Sequence, residues 1–111
     1  MQSQQKLKSM LTLMSELCRL LKKENTLLKH QRQEECKALF EQKNKLSLAY
    51  EEAFKSLSGH AEIFARLSDG QKATLRKAAT TLDSLTAENA RLLKINIDAT
   101  NRLLNAIVND I

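Results

Sequence analysis

The sequence predicts an all-α chain: an antiparallel hairpin of two long helices with a short helix between them, an elongated coiled-coil or bundle in one domain over residues 1–111. Three observations lead there. The 111 residues contain no Pro and only two Gly, so little interrupts a helix. The chain is rich in Leu, Ala, Lys, Glu and Gln, the strong helix formers. Its apolar residues recur at spacings of three and four, which places them on one stripe of a helix. Aromatic residues make up only 4%, so the expected core is thin and dominated by Leu.

The first helix is expected from about residue 5 to about 57. Its stripe begins Leu7, Met10, Met14, Leu17, Leu21, Leu28 and resumes as a heptad, Cys36, Leu39, Lys43, Leu46, Tyr50, Ala53, Leu57. Lys43 is the one charged member, with a stem long enough to lie along apolar surface. Residues 22–37 between the runs are mostly polar. They keep the stripe connected only through an extra step of four, a stutter that unwinds a coil locally, so a bend is expected near His30 to Arg32. Ser58-Gly59 ends the helix, because Gly suits the position just past a C-terminus. Ala61, Ile63, Phe64 and Leu67 mark a short helix over about 61–67. Ser68-Asp69-Gly70 is the second break, with Ser68 or Asp69 capping the helix that follows. That last helix, about 70–110, carries Leu75, Ala78, Leu82, Leu85, Asn89, Leu92, Asn96, Ala99 and Leu103 on its stripe. Asn at stripe positions fixes register at some cost in stability.

The last helix changes character after Glu88. Leu92 and Leu103 continue the stripe, shared with the core, and Ile107 follows them. A second ridge of Leu93, Ile97, Leu104, Val108 and Ile111 runs beside it. A two-helix hairpin covers one ridge, and monomers avoid leaving a large apolar patch bare. Two readings follow. In one, a second copy of the chain covers the ridge in a homodimer. In the other, the ridge receives a helix of a client protein, and Arg91, Lys94 and Arg102 pair with acidic client residues, favouring on-rate and partner choice more than affinity. Asn101, Asn105 and Asn109 share a separate face, read either as solvated surface or as hydrogen-bonding the ends of a client's backbone.

Composition also bears on the remaining classes. The net charge of +5 arises early, since residues 1–33 hold seven Lys and Arg against two Glu. Those cations are mixed with Gln and Glu and have no interleaved aromatics to stack on bases, which makes a basic nucleic-acid binder the weakest reading. No Gly-rich phosphate loop, HExxH or GxSxG occurs. His30 and His60 lie far apart, and the adjacent pairs Glu34-Glu35 and Glu51-Glu52 point to different sides of a helix. No catalysis, cofactor or metal is expected. Cys18 and Cys36 lack zinc-ligand spacing and are expected as thiols inside helices. No apolar run reaches a membrane span and no secretory leader is apparent, so a cytoplasmic protein is expected.

Leu17-Cys-Arg-Leu-Leu-Lys-Lys-Glu24, Leu28, the Leu39…Lys43…Leu46 heptad and Leu85-Thr-Ala-Glu-Asn89-Ala-Arg-Leu-Leu93 resemble the FlgN-type flagellar export chaperones across most of the chain. The resemblance implies long antiparallel helices and clients among the hook–filament junction proteins. It implies that their amphipathic C-terminal segments are held soluble on the C-terminal half of the last helix until type III export. Arg32 departs from the acidic residue the family often has at the bend, and the late aromatic that some relatives use at the export gate is missing. Tyr50, mid-heptad in the first helix, does not substitute for it.

Overall fold

A computed structural model describes the backbone of residues 2–58 and 65–109 and the side chains of 4–56 and 65–107. Every regular element among them is helical: α1 (Gln2–Lys29), α2 (Gln33–Ser58) and α3 (Asp69–Asn109). The short helix expected at 61–67 falls mostly on residues outside this description, as do Gly59, His60, Ile111 and the side chains of Leu57 and Val108.

The expected continuous helix over 5–57 is two helices. The chain stops after Lys29, and the stop has a local cause. Gln31 takes a left-handed backbone, φ 58°. Its N–H donates to the Leu28 carbonyl at 3.2 Å, and the Arg32 N–H donates to the Leu27 carbonyl at 3.0 Å. These two bonds are the Schellman pair that satisfies the last carbonyls of a helix. The expected bend is therefore a full reversal. Glu34 and Glu35 then occupy the first turn of α2, where carboxylates suit the positive end of the helix dipole. A left-handed residue with a Cβ costs about 1–2 kcal/mol, while Gly adds disorder to the unfolded chain. Gln31→Gly should accordingly raise stability by a net amount of about 1 kcal/mol, read as a higher urea midpoint at unchanged slope.

The start of α3 is fixed by a reciprocal cap. Ser68 Oγ accepts from the Gln71 N–H at 3.1 Å, and Gln71 Oε1 accepts from the Ser68 N–H at 3.0 Å. Of the two expected caps, Ser68 is the one used, in a capping box.

The reversal at Gln31 sets the architecture. Gln71 of α3 bonds Gln4 near the start of α1, and Asn89 bonds Asn25 near its end. Helices α1 and α3 thus run parallel, with α2 antiparallel to both. Helix α1 packs along each of the other two and supplies most of the core. Met10, Met14, Leu17 and Leu21 pack with Leu82 of α3, while Leu20 and Leu27 pack with Leu39 of α2. Two helices bury α1 on two sides, which is why Leu20 and Leu27, off the expected stripe, are buried, Leu20 as deeply as Met14.

Length then matters. Helix α3 has 41 residues against 28 in α1, and the two start level. With level starts, the last 13 residues of α3 (41 − 28), about 97–109 and roughly 20 Å at 1.5 Å per residue, run past the end of α1, while the Lys29 side chain reaches back to within 3.8 Å of Glu88. The molecule measures 65 × 21 × 21 Å.

Candidate functional site

Where α1 ends, a polar knot ties the three helices. Glu24 and Asn25 of α1 and Asn89 of α3 are all buried. Lys43 Nζ of α2 donates to Glu24 Oε1 at 3.0 Å. Asn89 Nδ2 donates to the same oxygen and to Asn25 Oδ1, the latter at 2.9 Å, and Asn25 Nδ2 donates to the Leu85 carbonyl at 3.3 Å. Lys43 is more than a stem on apolar surface: its side chain is 17% exposed and its charge is buried against a carboxylate that is 4% exposed. A buried polar group is tolerable only when it is hydrogen-bonded, and this arrangement meets the condition at one register of the three helices.

Beside the knot, an open groove of about 370 Å³ lies between α2 and α3. Its walls are Cys36 and Phe40 of α2 and Leu93 and Ile97 of α3, with Leu28 at the end of α1 and Thr100 and Asn101 on the rim. Beyond Asn101, residues 102–109 continue as unaccompanied helix.

Each expected site residue takes its character from this geometry. Leu92 is 7% exposed and is core, so it is not available to a client. Leu93 is half-buried in the groove wall. Ile97 (59% exposed), Leu103 (62%), Leu104 (53%) and Ile107 (50%) stand in solvent. Leu103 was expected to be shared with the core. It is not, because the helix that was to lie beside it turned back at Gln31. Ala99 and Ala106 are exposed for the same reason. Val108 and Ile111 lie outside the described side chains. Among the expected client-pairing cations, Arg91 is already engaged. It makes two hydrogen bonds to Glu88, at 2.7 and 3.0 Å, and this partner holds the Glu88 carboxyl below the usual range. Lys94 and Arg102 are exposed.

The α2 wall was missed. Phe40, 57% exposed, is a large apolar residue off the heptad stripe, and that was the available signal. It also lies 6.0 Å beneath the Lys43 ammonium, within cation–π reach. A second recess of about 360 Å³ opens at the opposite end of the α2–α3 seam, between Tyr50 and Phe54 on one side and Leu75 and Ala79 on the other.

Cys18 and Cys36 are free thiols. Burial pushes the Cys36 thiol up, and the Glu24 and Glu35 carboxylates push it the same way. Burial likewise raises Cys18, against a smaller opposing effect of Lys22. Since the thiolate is the reactive form, both should alkylate slowly at pH 7.5 and faster as pH rises. Cys36 lines the groove and Cys18 does not, so a bound partner should slow iodoacetamide labelling of Cys36 alone, as read by peptide mass spectrometry.

Among the described residues, no helix is long and apolar enough to cross a membrane. Compared with protein-family models, curated proteins and solved structures, the chain matches none of them.

Proposed function

We propose that this chain is a cytoplasmic flagellar export chaperone, which holds the amphipathic C-terminal segment of a hook–filament junction protein soluble for type III export. One observation carries the reading. Phe40, Leu93 and Ile97 in the groove, and Leu103, Leu104 and Ile107 on the free end of α3, are apolar side chains that no part of the described chain covers fully. Monomeric proteins rarely keep such a patch without a use for it. A client tail that later buries its own apolar face needs a temporary cover of this kind, and a helix seated in a groove supplies one. The likeness to the FlgN-type chaperones adds support, because the residues it rests on, Glu24, Lys43 and Asn89, meet in one buried network. Binding and release require no chemistry, so no catalysis enters the proposal.

The same surface suits a second copy, which makes a client-free structural oligomer the rival. Light scattering with and without the purified C-terminal segment of a junction protein separates the two. A monomer that forms a defined complex supports the chaperone. A dimer that persists at nanomolar concentration and ignores the segment sinks it.

A further inference from the structure

Helix α1 buries one side against α2 and α3, and its other side carries a charge that the described residues leave unanswered. Every described side chain that α1 exposes is polar. Five of them, Lys8, Arg19, Lys22, Lys23 and Lys29, are cations against the single carboxylate of Glu16. Lys29 reaches Glu88. The other four make no ion pair among the described residues. Helix α2 is built differently. It exposes five Glu against three Lys, and Lys37 and Lys45 each sit beside a Glu one turn back. Arg19 instead has Lys22 and Lys23 three and four residues on, where like charges destabilise a helix. A counter-charge from outside the chain relieves that repulsion. We propose that this face of α1 docks on an anionic membrane surface, through the phosphates of lipid headgroups, with the chain lying flat and none of it inserted.

The chemistry of the face selects this partner among polyanions. A specific protein interface is centred on buried apolar or aromatic side chains, and this face exposes none. Helix α1 has no aromatic residue on which single-stranded bases stack. The phosphates of a duplex wind around its axis and leave a straight row of cations after a few contacts. A lipid surface asks only for density of charge. Lys8 to Lys23 spans about 22 Å of one helix at ~1.5 Å per residue. A rod lying flat brings all four cations within about 8 Å of the surface, the screening length at physiological salt, where each Lys or Arg adds to the attraction. Leu28, which lines the groove between α2 and α3, comes nine residues after Arg19, about two and a half turns, and so lies on the opposite side of α1. The groove faces away from the lipid, and the docking does not depend on what the groove holds.

The test is co-sedimentation of the full chain with vesicles of phosphatidylcholine, alone or with about one-third phosphatidylglycerol. The chain should bind the charged vesicles and ignore the neutral ones, and raising NaCl from about 50 to about 300 mM should release it. Arg19→Gln/Lys22→Gln/Lys23→Gln changes three exposed positions. It should keep its helical circular dichroism and bind about a hundredfold more weakly. Lys45→Gln/Lys72→Gln/Arg76→Gln removes the same charge from the outside of α2 and from the recess between α2 and α3, and should lose less than about threefold. Glu16→Gln should bind about fivefold more tightly, a gain that misfolding does not produce. Equal losses in the two triple variants show attraction to net charge alone and overturn the face. Equal binding to neutral vesicles, or binding that survives high salt, overturns the electrostatic contact. A duplex DNA or RNA that binds while charged vesicles do not reassigns the face to nucleic acid, and failure to bind either leaves it a solvated surface; both overturn the membrane proposal.

Discussion

Replacing Lys43 with Ala is expected to destabilise the free protein by about 3 kcal/mol. That is the lower end of the 3–5 kcal/mol range for breaking a buried ion pair from one side. The loss comes mostly from what remains. Glu24, at 4% exposure, keeps its carboxylate beneath three helices with only amide donors for company, and the full charge still has to be desolvated. Lys43 is 17% exposed at the mouth of the groove, so water enters its place and limits the damage. A domain of this size holds 5–15 kcal/mol in all, so the variant should show a clearly lower urea midpoint. The companion Glu24→Gln/Lys43→Met removes both charges at similar volume and should recover most of the loss, since a buried pair is worth little against apolar or neutral substitutes. Its cost should show as specificity: with the charges gone, the three helices lose the contact that distinguishes one register from its neighbours. The double-mutant cycle measures the coupling directly. A Lys43→Ala loss below about 0.5 kcal/mol, the value of an exposed pair, contradicts the buried network.

How much of this was legible in the sequence depends on what each residue needed to know. Leu7, Met10, Met14, Leu17 and Leu21 needed only their own helix, and periodicity placed them in the core where they are found. Ser68 needed three further residues, and its capping box was legible as a cap though not as a choice between Ser68 and Asp69. Gln31 was opaque. The stutter located a weak point at His30 to Arg32, but a left-handed C-terminus is announced by Gly or Asn, and Gln carries no such mark. Everything downstream of Gln31 inherits that gap. Lys43 lies nineteen residues from Glu24, and only a reversal between them brings the two together. Phe40 and Cys36 join the site only because α2 folds back beside α3. The surplus of apolar residues after Glu88 was legible as composition, independent of topology. For that reason Ile97, Leu104 and Ile107 were found while their opposite wall was not.

That surplus carries the second large effect. Ile97→Asp with Leu104→Asp should abolish client binding and leave the fold intact. Both positions are more than half exposed and lie beyond the end of α1, so the substitutions open no cavity and break no core contact. Surface changes of this kind usually move stability by no more than about 0.5 kcal/mol, and helical circular dichroism should be almost unchanged. Binding should behave otherwise. Burying an Ile or Leu side chain is worth about 1.5–3 kcal/mol, so the two truncations alone remove roughly 3–6 kcal/mol, and each new carboxylate must also be desolvated against the client. At 1.4 kcal/mol per tenfold, affinity falls by well over a hundredfold, beyond detection by calorimetry for a micromolar complex. Two controls fix the interpretation. Leu92→Asp, one turn away but 7% exposed, should unfold the chain. Leu46→Asp should do the same, because Leu46 packs against both halves of the core. If the Ile97/Leu104 variant unfolds as they do, its side chains belong to the core of an assembly and not to a client's seat. If it folds and still binds with wild-type affinity, neither the Ile97 wall of the groove nor the free end of α3 holds the client, and the proposed seat is wrong.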